Sequence, residues 1–212
     1  MTASSPFGDR SVVELPGYRP PDWLQGEIEP GSLQRIELRS SVLRRSFQAM
    51  LWTTPGGTKD EPLPLLVAHD GPELARYSSL IRYLEHLYVT GRVPPMRAAL
   101  LAPGDRNESY SASTKYARAL AHDLLPALNQ AAPVPRGRSM RVGMGASLGA
   151  LAMLHVHRLH PASFGASSCS PEAFFDLTST GKSRSSPASF ASVASSAGSP
   201  RPQIGFIPWW FP

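Results

Sequence analysis

The sequence predicts an α/β fold in which a mainly parallel, doubly wound sheet is covered by helices on both faces. Three observations predict it. Between about residues 63 and 168, apolar runs of strand length alternate with apolar residues at helical spacing. The run Leu63-Pro64-Leu65-Leu66-Val67-Ala68 is continuously apolar after its proline, as a strand buried on both faces has to be. The chain of 212 residues, 42% of them hydrophobic, is long enough for one domain with a sizeable core.

Taken in order, residues 1–25 are rich in Pro, Ser and Arg, lack a sustained period, and read as an irregular arm, with Pro20 and Pro21 in support. From Gly26 the domain begins. Leu33–Leu38 and Ser46–Thr53 alternate like half-buried strands, and Leu63–Ala68 follows as the buried one. After Gly71 the spacing turns helical through Leu74, Tyr77, Leu80, Ile81, Leu84, Leu87 and Tyr88, one helix that Gly91 ends. Arg97–Ala102 is the next strand. Ser113–Ala131 is an amphipathic helix through Tyr116, Leu120, Leu124, Leu125 and Leu128. Met140–Met144, Gly149–His160 and Phe164–Ser168 supply a strand, a helix and a short strand.

The alternation stops near Thr178, so the folded domain is expected over residues 26–178. Residues 179–200 are Ser, Ala, Pro and Gly with no acidic residue and no apolar period; they bury too little surface to offset chain entropy. Residues 179–212 are therefore expected to be a disordered tail. Its end, with Trp209, Trp210 and Phe211, reads as an unstructured terminus, the alternative being a segment that docks on an apolar surface or a partner.

The formal charge of +5 comes mostly from arginines spread along the chain, which favours solubility. No zinc pattern and no basic helix followed by heptads is present, so nucleic acid is not an expected partner. Cys169 is the single cysteine, and no internal disulfide can form. Met1–Gly17 lacks an apolar run of signal-peptide length and no stretch reaches membrane-span length; a cytoplasmic protein with no membrane partner is the default expectation. His155 and His157, two apart on a helix, point to different sides and do not make a metal site. Neither metal nor cofactor is expected, and nothing fixes the oligomeric state.

The motif that carries chemistry is Gly145-Ala146-Ser147-Leu148-Gly149, a Gly-x-Ser-x-Gly after an apolar strand and before a helix. In a turn that tight, side chains two residues either side of the serine would collide with it, hence the glycines; small Ala146 and Ala150 suit the same crowding. The turn sets the serine oxygen at the carboxyl edge of the sheet and the N-terminus of a helix, where developing negative charge is favoured. Ser147 is the candidate nucleophile.

Leu65-Leu66-Val67-Ala68-His69-Asp70-Gly71-Pro72, Arg106-Asn107-Glu108-Ser109-Tyr110, Gly143–Ala150 and His160-Pro161-x-x-Phe164-Gly165 follow one another in an order and spacing that resemble the putative-esterase family. That family includes enterochelin esterases, esterase D-like enzymes and related mycolyltransferases. The resemblance implies an α/β-hydrolase fold and a small-molecule ester substrate. It also implies that the Asp-Gly loop supplies one oxyanion-hole amide and the residue after the serine the other. Leu148 matches the second donor. For the first, Pro72 has no N–H to offer, so either Gly71 donates or the hole is weaker. Losing one such donor costs about a hundredfold to a thousandfold in rate. His69, Asp70, Arg106 and Glu108 are placed beside the site by the same resemblance, with Arg106 and Glu108 matching an Arg-x-x-Glu-like stretch at a shorter spacing.

The resemblance covers about residues 26–178. The family continues with two more strands bearing the acid and then the histidine of the triad, so the fold is expected to be C-terminally incomplete, as in a truncated or frame-altered product. The last histidine is His160, thirteen residues past the serine. His155 would lie on the order of 12 Å along the helix axis from Ser147, too far to take its proton. His69 ends the strand next to the nucleophile strand and could approach Ser147, but a triad also needs a group to orient the imidazole. Glu172 and Asp176 are the only carboxylates after Ser147. The sequence thus implies a serine esterase-like hydrolase, impaired for want of its base. The alternative is a non-catalytic remnant that binds an acyl ligand or a partner. Acyl transfer to a sugar, as in the mycolyltransferases, is disfavoured by the absence of a signal peptide.

Overall fold

A computed structural model describes residues 2–5, 8–11 and 15–169. Strands β1 (Thr2–Ser5) and β2 (Gly8–Ser11) pair antiparallel as a small separate sheet. They fall in the stretch expected to be an irregular arm, which is a correction: a ladder of backbone bonds needs no apolar alternation, and there was none to read. A single 3₁₀ turn follows at Asp22–Leu24. The expected tail, 179–212, lies outside the described residues.

The main sheet has six strands: β3 (Ser32–Ser40), β4 (Arg45–Thr53), β5 (Leu65–His69), β6 (Arg97–Leu101), β7 (Arg141–Gly145) and β8 (Ala166–Cys169). Their spatial order is β3-β4-β6-β5-β7-β8. The first three neighbours run antiparallel, and β6-β5-β7-β8 run parallel. The mainly parallel α/β expectation holds, with the antiparallel part confined to the two half-buried strands. All five residues of β5 and all five of β6 are buried, as expected of strands covered on both faces.

Two apolar clusters occupy the two faces. On one, Val67, Ala99 and Leu101 pack with Leu120, Leu124, Met153 and Val156; on the other, Trp52, Leu66, Ala68 and Leu100 pack with Leu80 and Leu84. Residues of opposite parity on β5 and β6 thus point into opposite layers, which fixes the strand register against a one-residue slip.

The helices depart from expectation in two places. The helix expected from Leu74 to Tyr88 is two, α1 (Gly71–Tyr77) and α2 (Leu80–Val89), broken at Ser78 and Ser79, with Ser79 left-handed at φ 51°. Serine hydroxyls compete for backbone groups and weaken a helix interior. The short α3 (Arg106–Tyr110) precedes α4 (Thr114–Ala119), a π-helical turn at Leu120–Leu124 and α5 (Leu125–Ala131). The expected single helix therefore widens just before Pro126, whose ring would strike the carbonyl four residues back and which has no N–H to give. Helix α6 (Leu148–Leu159) starts at the candidate turn and packs against β7 and β8.

Leu100 is fully buried between α1 and the sheet. Leu100→Ala is expected to cost about 2–5 kcal/mol of unfolding free energy, read as a lower urea midpoint at an unchanged slope.

Candidate active site

Ser147 sits between the end of β7 at Gly145 and the start of α6 at Leu148, with φ 53° and ψ −126°. Those angles belong to neither a strand nor a helix; they cost an L-residue about 1–3 kcal/mol and persist only where the surroundings leave no alternative. They do so here. A Cβ on Gly145 would overlap the Gly149 carbonyl and lie 2.7 Å from the Ala150 nitrogen. A Cβ on Gly149 would lie 3.1 Å from the His69 Cβ and 3.3 Å from Asp70 Oδ2. Both glycines of the motif are thus set by contact, and the second contact joins the turn to the end of β5. The Ser147 carbonyl accepts the N–H groups of Ala150 (3.0 Å) and Leu151 (3.2 Å), which locks the first turn of α6. The side chain is half-buried.

The parallel pairing of β5 with β7, Ala68 opposite Met144, brings the loop after β5 to the same rim. Asp70 is also left-handed, at φ 52° and ψ 32°, and begins α1. Arg106 Nε donates to both of its carboxylate oxygens at 3.1 Å, and Tyr110 Oη accepts the Asp70 N–H at 3.4 Å. Gly71 is buried, and a Cβ there would overlap the Leu100 backbone. Among the described residues, nothing accepts the N–H of Gly71 or of Leu148. Pro72 lies inside the first turn of α1.

Glu108 differs from Arg106. Its backbone N–H is capped by Asp105 Oδ1 at 3.0 Å, its side chain is exposed, and Arg106 pairs with Asp70 rather than with it. The Arg-x-Glu spacing on the short α3 therefore brings one of its two charges to the rim. Glu172 and Asp176 lie outside the described residues.

His69 is fully buried and turned into the core. Its Nε2 shares a 2.7 Å hydrogen bond with the Tyr116 hydroxyl, and its ring packs edge-on to Tyr110 at 4.6 Å. Burial, and secondarily the Arg106 charge, lower its pKa to about 3. Burial raises the pKa of both tyrosines, so the cluster is neutral at ordinary pH. The remaining histidines are elsewhere: His155 contacts Thr114 at 3.4 Å, and His122 packs on His160 at the far end of α6. Among the described residues, which include all six histidines, none hydrogen-bonds Ser147. Among the described residues, no group of three His, Cys, Asp or Glu side chains forms a metal centre, and no helix is long and apolar enough to cross a membrane.

A family model described as Putative esterase matches residues 40–210. The chain belongs to that family. Solved esterase structures are similar to it in fold. The ferric enterobactin esterase of Salmonella typhimurium is 22% identical, with a TM-score of 0.68 over 79% of this chain and 43% of that one. The enterobactin esterase of Shigella flexneri, solved in the presence of enterobactin, is 25% identical, with a TM-score of 0.65 over 79% and 45%. A ferulic acid esterase from Anaeromyces mucronatus is 16% identical, with a TM-score of 0.59 over 70% and 62%. The chain spans less than half the length of the enterobactin esterases it matches. No curated protein matches it.

Tyr110 and Tyr116 are the rim and sub-rim residues that sequence reasoning left without a task. Tyr116 carried only its apolar spacing on a helix, and Tyr110 only its place in a motif. No local signal says that two hydroxyls six residues apart converge on His69 and Asp70.

The buried His69 gives a pH test of this esterase-family rim. An unfolded histidine takes up a proton below about pH 6.5, whereas the folded one does so only near pH 3. Stability is then complete above pH 6.5 and falls by up to about 1.4 kcal/mol for each pH unit down toward 3. In His69→Gln, urea unfolding measured between pH 7 and 4 is expected to show a slope shallower by up to that amount.

Proposed function

We propose that the chain is a serine carboxylic-ester hydrolase of the enterochelin-esterase class, with Ser147 as nucleophile and a small-molecule ester as substrate. The observation that carries the reading is Ser147 at φ 53° and ψ −126° in the junction between β7 and α6. A non-glycine residue is kept in so costly a conformation where its side chain has to protrude from the rim. In this reading the Ser147 oxygen attacks the ester carbonyl and the Leu148 and Gly71 amides receive the developing oxyanion. Asp70, clamped by Arg106 and Tyr110, holds the Gly71 loop against the turn as a positioning group. The family match and the likeness to enterobactin and ferulic acid esterases support the substrate class.

Ester cleavage needs a base to take the serine proton, and His69 is spoken for by Tyr116 and too weakly basic. Over the described residues 26–169 the chain is accordingly a hydrolase framework in which no histidine hydrogen-bonds Ser147. That absence favours a second reading, a non-catalytic binder of acyl ligands on the same rim. The test is labelling by a serine-reactive fluorophosphonate. Slow labelling, abolished in Ser147→Ala and orders of magnitude behind an intact serine esterase, is expected. Rapid labelling that Ser147→Ala abolishes would overturn the unactivated state, while labelling that survives Ser147→Ala would overturn the nucleophile. Acyl-ligand binding by calorimetry without cleavage selects the second reading.

A further inference from the structure

A cavity of about 750 Å³ opens at the opposite rim of the sheet from Ser147. Its wall includes Arg141, the first residue of β7, and His160, just past α6, whereas Ser147 lies at the other end of both elements. Twelve helical residues separate the two rims, on the order of 18 Å. The cavity is therefore no part of the candidate active site.

Its lining holds four basic side chains, His122, Arg136, Arg141 and His160, and no carboxylate. Asp123, next to His122 in sequence, is turned away and engaged by Ser40, Ser41 and the Val42 amide. Arg141 is tied into the wall through the carbonyls of Ser163 (2.7 Å) and Ala162 (3.3 Å), and Arg138 reaches the Pro161 carbonyl at 3.3 Å. Those bonds fix the 161–163 turn. The Arg136, His122 and His160 side chains have no hydrogen-bond acceptor among the described residues. Burial, and after it the neighbouring His122 and Arg118 charges, lower the His160 pKa.

We infer that this cavity is a second binding site, for a small organic phosphate held by Arg136, His122 and His160. The inference goes beyond the ester chemistry and does not depend on it. The two imidazole rings lie 4.9 Å apart between centroids and 87° apart in plane. The two crossed rings and an arginine on a separate loop reach the cavity from three different segments of the chain. A tetrahedral phosphate accepts from several directions, whereas a carboxylate accepts mainly within its own plane. The surrounding arginines oppose a metal cation, which the crossed rings alone would otherwise suit. The apolar wall, with Leu125, Val134 and Leu159, gives the rest of the ligand a dry face.

Calorimetry of the full chain with phenyl phosphate, with benzoate and zinc as competing probes, tests the site. Saturable phenyl phosphate binding is expected, at least tenfold tighter than benzoate, weakened at least tenfold in Arg136→Gln and in His122→Gln, and unchanged in Ser147→Ala. Absent binding, equal or tighter benzoate binding, zinc binding in place of phosphate, or affinity indifferent to Arg136→Gln would each overturn the inference. Should His122→Gln fail to fold, Arg136→Gln decides alone, because Arg136 is exposed and outside every helix and strand.

Discussion

The structure depends first on the contact between Gly145 and Gly149. With no Cβ on either, the last residue of β7 lies against the first turn of α6, and the chain between them can turn only by putting Ser147 at positive φ. The strain at one residue is offset by the packing of a whole strand and a whole helix, because α6 buries Ala152, Met153 and Val156 against the sheet. Release of the turn would lift that face out of the core. Rigidity is thus a consequence of packing rather than of the turn's own hydrogen bonds, which number few and are local.

The second constraint is register. Because β5 and β7 run parallel with Ala68 opposite Met144, the residues just past each strand end share one rim. Asp70 mirrors Ser147: each is a non-glycine residue at φ near 50° starting a helix, and Asp70 Oδ2 stands close to where a Gly149 side chain would begin. Two strained turns lean on one another there, and Arg106 and Tyr110 hold the outer one. Asp70 and Arg106 nearly cancel in charge, so the rim offers fixed hydrogen-bond donors without a large net field.

Legibility followed the physical range of each signal. Ser147 and its glycines were readable because crowding within five consecutive residues writes itself into residue size. The buried strands were readable because a strand covered on both faces has no polar position to spare, and Leu65–Ala68 has none. The break at Ser78–Ser79 and the widening before Pro126 were less so, since apolar spacing continues across both and only the backbone records the fault. The antiparallel edge was hidden for another reason: alternation in Ile36, Leu38, Phe47 and Ala49 says half-buried but not which way the neighbour runs. Least legible was the direction of His69. Strand alternation assigns it a face, yet that the face is occupied by Tyr110 and Tyr116 follows from helices forty residues away.

That direction has a consequence for any activating base. His69 cannot swing out to Ser147 without breaking its bond to Tyr116 and opening a void among fully buried rings. Nor would it gain by doing so, because a base that accepts the serine proton becomes an imidazolium, and Arg106 stands beside it with the same sign. A single Arg106 N–H is shared between the two Asp70 oxygens, and that ion pair holds the carboxylate over the β5 loop. The two strained turns thus set Ser147 at the rim, while the bond to Tyr116 and the packing of Tyr110 hold His69 in the core beneath it.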